Sequence, residues 1–331
     1  MESERRPRLS PAIADMRRMV RAALPAPDSL VLVGLSGGAD SLALAAATAF
    51  EAARAGVTAG AVIIDHALQD GSADVAAAAG RQATALGLDP VIVRRVAVAT
   101  DAGGEGPEGA ARTARYAAFE QVLAETGASA LLLGHTLDDQ AETVLLGLAR
   151  GAGAGSLQGM AAASGRYLRP LLGIRRDQTR QFCVDSGLTA WDDPQNADRR
   201  YARVRVRETV LPVLEAELGP GVAEALARTA AQLREDSAAL DAMVLEFIEE
   251  ICEPAEAGIA VSVGALEANP PALRQRIIRF VVESEFGISL ERVHTLAVAR
   301  LITDWHGQKA LDLPGIRVNR QDGLLVFTAQ H

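Results

Sequence analysis

Only two cysteines occur in 331 residues, Cys183 and Cys252, and they form no Cys-X-X-Cys pair. That excludes a zinc ribbon or an iron–sulfur cluster built from this chain's own cysteines, and two solitary thiols suit a reducing compartment. Lysine is scarcer still. Lys309 stands alone, so 32 of the 33 basic residues are arginine. Aromatic residues make up 4% of the chain, so a core must come from Ala, Val, Leu and Ile, which the 49% hydrophobic content supplies amply. No apolar run approaches the ~20 residues of a membrane span, and the charged start (Glu2, Glu4, Arg5, Arg6, Arg8) has no apolar segment behind it. A cytoplasmic protein of two domains with no membrane partner is expected.

The net charge of −9 argues against a general coater of nucleic acid, whose affinity comes from neutralising phosphates. Its distribution says more. Residues 161–210 carry 10 basic and 6 acidic groups, a net +4. Residues 1–160 carry 13 and 18, and residues 211–331 carry 10 and 18. One short basic segment therefore lies between two acidic ones.

The stretch with the clearest chemistry runs from Val31 through Gly34-Leu35-Ser36-Gly37-Gly38-Ala39-Asp40-Ser41. A run of β-formers enters it and Leu42-Ala43-Leu44-Ala45 leaves it as a helix. Glycines let backbone N–H groups approach an anion, and a helix N-terminus adds partial positive charge. No lysine follows, so this is not the Gly-Lys-Ser/Thr phosphate loop. Ser-Gly-Gly-X-Asp-Ser after a strand resembles the loop of the ATP pyrophosphatases, which split ATP into AMP and pyrophosphate. That resemblance implies ATP contacts at Ser36, Gly37, Gly38, Ala39, Asp40 and Ser41. Asp40 beside the phosphates suits Mg²⁺, since a carboxylate there can serve by holding the ion. Two other readings stay open on these letters alone: the Gly-X-Ser-X-Gly elbow of a serine hydrolase with Ser36 as nucleophile, and a plain glycine turn.

Short apolar strands then alternate with helices of about a dozen residues, the pattern of a doubly wound, mostly parallel α/β sheet. A first helix over 10–23 with a Ser10-Pro11 cap precedes strands at 30–33, 59–64, 91–98 and 130–133. Ligands in such sheets sit beyond the carboxyl ends of strands, which places Asp65-His66 and Gly134-His135 at the nucleotide crevice. A glycine-rich loop over 101–109 leads to a helix from Glu108 to Tyr116, where Arg112 and Arg115 share a face and suit phosphate or adenylate. The helix opening near Asp138 carries Asp138, Asp139 and Glu142 within one turn. Plain N-terminal capping explains such acids, and a cation joining them, Mg²⁺ or an ammonium, explains them better.

Arg150 to Gly155 reads as a hinge. The basic segment opens at Arg169-Pro170 and ends in Arg199, Arg200, Arg203, Arg205 and Arg207. The last three share a face if the run is a strand and spread widely if it is a helix; either suits a polyanion backbone, and a solvated face is the alternative.

Taken in order, these parts resemble the tRNA(Ile)-lysidine synthetase family of the PP-loop ATP pyrophosphatase superfamily. They are the Ser36–Ser41 loop, the 108–116 helix, Leu133-Gly134-His135 through Thr143, the Arg150-Gly151 hinge, Arg169-Pro170-Leu171-Leu172, Asp193-Pro194 with Asn196, and Tyr201 through Arg207. The resemblance implies adenylation of the wobble cytidine of tRNA(Ile) with anticodon CAU, then attack by free L-lysine. Asp40, Arg112, Arg115 and His135 are the implied catalytic group, with Asp65, His66 and Gly134 beside ATP. Asp138, Asp139 and Glu142 would take lysine, and Arg169 with the 199–207 arginines would take tRNA. Another PP-loop ATP pyrophosphatase, such as an amide ligase or a different tRNA-modifying enzyme, is the alternative. Thr136 and Val204 depart from the family, where a second His and an Asn are usual. Residues 1–215 are expected to form the catalytic domain. Residues 216–331 should form a smaller, mainly helical domain ending in a hairpin around 319–323, positioning tRNA through Arg274, Arg276 and Arg279, or serving a homodimer.

Overall fold

Helix α1 (Pro11–Ala23) begins where its cap requires, with Ser10 Oγ accepting from Ile13 N–H and Pro11 in the first turn. The computed structural model describes residues 10–67, 71–97, 106–151, 153–255 and 258–330. The charged residues 1–9, residues 101–105 of the expected glycine-rich loop and Ala152 of the hinge lie outside these. Strand β1 (Leu30–Gly34) leads through the loop to α2 (Ala39–Ala55), then β2 (Thr58–Asp65), α3 (Ser72–Ala85), β3 (Val91–Arg95) and α4 (Gly106–Thr126). Next come β4 (Ala130–Leu132), α5 (Leu137–Ala149), α6 (Ala154–Leu157), the short strands β5 (Ala163–Ser164) and β6 (Tyr167–Leu168), and α7 (Arg176–Asp185). The chain continues through α8 (Ala202–Arg205), a π-helical turn at Val206–Val210, α9 (Leu211–Leu218) and the long α10 (Val222–Ile251).

The first sheet has the order β3-β2-β1-β4-β6-β5, parallel throughout except for the β5–β6 edge pair. Side chains of β1 go to alternate faces. Val31 and Val33 pack with Met16, Leu42, Leu44 and Phe182 on one side, while Leu32 packs with Phe119, Val122 and Leu123 on the other. Successive strands step outward from β1 to β3, and the chain then returns to lay β4 on the opposite flank of β1. Such a reversal opens a crevice at the strands' carboxyl ends, between the loops that follow β1 and β4.

The described chain divides into two units within α10, between Gln232 and Leu233. Up to that point α10 belongs with the first sheet's unit. Glu215 caps its start by accepting from Gly221, Val222 and Ala223 N–H, and Ala223 packs with Leu137, Ala141 and Val206.

The second unit completes α10 and adds β7 (Cys252–Ala255), β8 (Gly258–Ser262), α11 (Val263–Ala268), α12 (Pro271–Phe286) and α13 (Arg292–Thr303). Strands β9 (Leu311–Leu313), β10 (Ile316–Gln321) and β11 (Leu324–Ala329) close it. The expected hairpin is present, turned by Asp322 and Gly323 at φ 50° and 79°. It belongs to a five-stranded antiparallel sheet, β7-β8-β11-β10-β9, in which β9 is split from β10 by the Pro314-Gly315 turn. Arg274 is buried, and its guanidinium donates to Leu266, Glu267 and Asn269 carbonyls, tying down the end of α11. Arg276 is paired with Asp241 and Ser237. These two arginines hold the unit together, against the expectation that they face RNA.

Close packing makes β2 intolerant of bulk. A Cβ on Gly60 would stand 2.5 Å from the Pro90 carbonyl oxygen and 2.8 Å from Leu32 Cδ2. Gly60→Ala is expected to destabilise the first unit by about 1–3 kcal/mol through overpacking. Denaturant unfolding measures this, and an unchanged midpoint would show that β2 has room to move.

Candidate active site

The loop after β1 is held by its own hydroxyls. Ser41 Oγ donates to the Gly38 carbonyl at 3.0 Å and lies 3.0 Å from Ser36 Oγ, while Ser36 N–H donates to Ser41 Oγ at 3.1 Å. Gly37 takes φ 86°, a left-handed turn that glycine adopts without strain, and Gly38 stands at the N-cap of α2. No side chain caps α2, so its first N–H groups are available to an anion. Ser36 has Ser41 and the Gly38 N–H as its partners rather than an imidazole, which removes the serine-hydrolase reading.

Facing it, the loop after β4 approaches as closely as backbone allows. A Cβ on Gly134 would lie 3.1 Å from the backbone of Asp40 and Ser41. Between the two loops opens a cleft of about 1010 Å³, lined by Ser36, Gly38–Ser41, Asp65, His66, Arg112, Arg115, Gly134 and His135 as expected. Asp139, Arg199, Arg203 and Arg207 also line it. So do Arg176, Arg180 and Trp191, which sequence reasoning did not single out.

Thr136 caps α5, its hydroxyl accepting from Asp139 N–H while the Asp139 carboxylate accepts from Thr136 N–H at 2.7 Å. The departure from a second histidine therefore supplies a capping box. The cation joining the acids is an arginine of this chain. Arg176 reaches Asp139 at 2.8 Å, Glu142 at 3.1 Å and Asp40 at 3.5 Å, and its backbone N–H donates to Asp138 at 2.7 Å. Burial opposes the charge on Arg176, and the four carboxylates more than restore it, raising its pKa. Burial likewise works against Asp139, but Arg176 and the Thr136 hydrogen bonds hold its pKa below the usual range. Asp40 goes the other way, raised by burial despite Thr179 and Arg176.

The three acids divide accordingly. Asp138 caps α7 and pairs with Arg175, Asp139 reaches the cleft, and Glu142, with no exposed surface, lies behind arginines. An arginine as first residue of a helix opposes the macrodipole, and that sequence signal would have pointed to acids waiting for Arg176.

Arg115 donates to His66 Nε2 at 3.1 Å, and Arg112 lies over the Tyr116 ring, so the α4 pair reaches the crevice. Asp65 is buried; that burial is outweighed by bonds from Ser72 and Ala67 N–H, and its pKa stays low. His66 and His135 are both pushed down to about 4, by burial first and by neighbouring guanidiniums second.

The arginine run is helical, not extended. Arg203 and Arg207 sit one turn apart and both reach Glu142, at 3.4 and 2.7 Å. Arg205 turns back to the Arg199 and Arg200 carbonyls, and Arg200 pairs with Asp198. Val204, the other departure, is buried. Arg169 is also buried and donates to the Ala161 carbonyl, so the fold does not bring it to the cleft. Among the described residues no group of three His, Cys, Asp or Glu is placed to hold a metal, and no helix is long and apolar enough to cross a membrane.

A parallel sheet with a glycine–serine loop at its switch point, facing a charged cleft, defines a PP-loop nucleotide-binding protein, and residues 12–214 match the PP-loop domain family. Residues 262–326 match the TilS substrate binding domain. The chain is 66% identical to the tRNA(Ile)-lysidine synthase of Leifsonia xyli subsp. xyli over 91% of its length and 90% of the relative's. It is 48% identical to that of Thermobifida fusca (96% and 98%) and 52% identical to that of Streptomyces coelicolor (90% and 85%). The chain belongs to the tRNA(Ile)-lysidine synthase family. Among solved structures, the U34-tRNA thiolase NcsA from Methanococcus maripaludis with its [4Fe-4S] cluster superposes with a TM-score of 0.57. That match covers 68% of this chain and 79% of the thiolase at 21% identity, a likeness of fold.

Neutral imidazoles in the cleft have a pH signature. Each folded pKa of about 4 lies below the ordinary 6.5, so between these values the unfolded chain binds more protons. Their contribution to stability is therefore complete above about pH 6.5 and declines as pH falls toward 4. NMR titration of the ring protons is expected to show His66 and His135 uncharged at pH 6. Midpoints near 6.5 would mean that the rings are open to water.

Proposed function

We propose that this protein converts the wobble cytidine of the CAU-anticodon isoleucine tRNA to lysidine in the cytoplasm, using ATP and free L-lysine. The cytosine carbonyl oxygen attacks the α-phosphorus of ATP and pyrophosphate leaves. A neutral amine of lysine then attacks the activated ring carbon, and the oxygen departs with AMP. Adenylation is needed because the carbonyl oxygen alone is a poor leaving group. The observation that carries the reading is the cleft where the Ser36–Ser41 loop meets the Gly134 turn, in a chain that matches the PP-loop domain over residues 12–214 and the TilS substrate binding domain over residues 262–326.

In this reading the uncapped start of α2 and the loop N–H groups hold the leaving pyrophosphate. Arg112 and Arg115 meet the phosphate or adenylate from α4, where the fork of a guanidinium matches phosphate oxygens. Asp40 is a hard oxygen donor lining the cleft beside the loop, a donor set that fits Mg²⁺, which takes one or two carboxylates and completes its shell from phosphates and water. Bound there, the ion would neutralise charge on the departing phosphates. Asp139 and Glu142 serve the lysine, and Arg199, Arg203, Arg205 and Arg207 the tRNA backbone. His135 is uncharged at neutral pH and so can offer a hydrogen bond at the cleft without adding charge.

Purified protein with ATP, Mg²⁺, labelled lysine and CAU-anticodon tRNA is expected to release AMP and pyrophosphate and fix lysine to the RNA. Failure of lysine to enter the RNA while pyrophosphate appears would redirect the reading to another ATP pyrophosphatase. Asp40→Asn should keep its fold, checked by circular dichroism, and lose pyrophosphate release. Near-normal release would take Asp40 out of the reaction.

A further inference from the structure

Glu142 is wholly buried and meets the cleft only through guanidiniums. Its carboxylate accepts Arg207 Nε at 2.7 Å and Nη2 at 3.1 Å, and Arg176 Nη1 at 3.1 Å, with Arg203 Nε at 3.4 Å. Arg176, Arg203 and Arg207 line the cleft in front of it. The three carboxylates Asp40, Asp139 and Glu142 thus face three guanidiniums. These three carboxylates are matched, and the fourth, Asp138, is taken by Arg175 and the Arg176 N–H, so none of the four is left over for a substrate ammonium. An ammonium that reaches Glu142 must replace an arginine, because a buried site tolerates no surplus of charge.

The three arginines are held unequally. Arg176 has a side chain only 13% exposed and bridges all three acids. Arg207 is 21% exposed and binds Glu142 twice. Arg203 is 37% exposed, and apart from its distant contact with Glu142 it has one hydrogen bond, to Thr143 Oγ1 at 3.2 Å. It is the weakest of the three and the most open to solvent. Arg203 and Arg207 both stand on the turn formed by α8 and the π-helical residues, a local irregularity of the kind that accompanies functional rearrangement.

We propose that Arg203, with Arg207 behind it, gates the amine site. In the RNA-free protein these guanidiniums close over Glu142. When nucleic acid enters the cleft they move onto its phosphates, which offer the same bidentate, charge-assisted pairing, and Glu142 is released to the ammonium of lysine. The proposal rests on the lysine-transfer reading above and adds an order to it. RNA and lysine bind cooperatively, and each strengthens the other by the same factor.

Equilibrium dialysis with labelled lysine tests this without ATP, so that no chemistry intervenes. Wild-type protein is expected to bind lysine about tenfold more tightly with CAU-anticodon tRNA than without it, a coupling of ordinary allosteric size. Arg203→Gln should bind lysine more tightly than wild type in the absence of RNA, and tRNA should then add little. Arg203→Lys keeps the charge and should keep the coupling. Equal lysine affinity in wild type with and without tRNA overturns the gate, as does weaker lysine binding by a folded Arg203→Gln protein. A non-hydrolysable ATP analogue that alone matches the tRNA effect overturns RNA as the opening anion. If Arg203→Gln does not fold, the wild-type comparison and Arg207→Gln decide. Lysine incorporation by wild type separates the two levels: incorporation without coupling defeats the gate alone, and no incorporation defeats the underlying reading.

Discussion

A carboxylate taken wholly out of water has to be neutralised inside the fold, and Glu142 sets that condition for the elements around the crevice. It sits one turn into α5, at the carboxyl end of β4, where its helix cannot turn it outward without exposing the apolar Leu137 and Ala141. The partners it draws come from α7 and from the arginine turn after α8, segments separated from it by 34 to 65 residues. Removing one partner from such a pair leaves a buried charge and typically costs ~3–5 kcal/mol. The ionic cluster therefore fixes where α7 and α8 lie against the sheet, and with them the Arg176, Arg203 and Arg207 side chains that line the cleft.

Asp40 and Asp139 inherit their states from the same arrangement. Arg176 lies among the acids, and the outcome for each depends on distance and on what else it touches. Asp139, at 2.8 Å and doubly bonded to Thr136, stays readily ionised. Asp40, at 3.5 Å, is raised by burial more than Arg176 and Thr179 lower it. Two carboxylates in the first turns of α2 and α5 thus differ in acidity, which separates the one beside the phosphate loop from the one beside the α5 cap.

The sheet and the phosphate loop were legible because they follow from local rules: apolar strands, helices of matching length and a glycine–serine turn at the first crossover. Thr136 was legible only as an oddity, yet it makes an ordinary capping box. Arg176 escaped notice because its acids lie far from it in sequence, on α5 and in the Ser36–Ser41 loop, and its place at a helix start was the one local sign of them. Arg203 and Arg207 looked like a polyanion surface, and their alternation with valines left strand and helix both open. As a helix they lie one turn apart, which is the spacing that lets both meet one buried glutamate. Arg169 and Arg274 show the converse, since a guanidinium reads as surface charge in sequence but here ties carbonyl groups inside the fold. The short strands β5 to β8 were missed because two to five residues carry too little pattern.

The scarcity of lysine acquires a consequence at this point. An adenylated cytosine is an electrophile that any neutral amine can attack, and a side-chain amine near it would compete with the substrate. The sole lysine of the chain, Lys309, lies in the second unit, between α13 and β9. The cationic groups at the cleft are guanidiniums, which stay protonated at any physiological pH and are poor nucleophiles. Both imidazoles there are held neutral by burial and by those same guanidiniums. In the proposed reaction the first unit, which contains no lysine, thus brings no lysine amine of its own to compete with the substrate's.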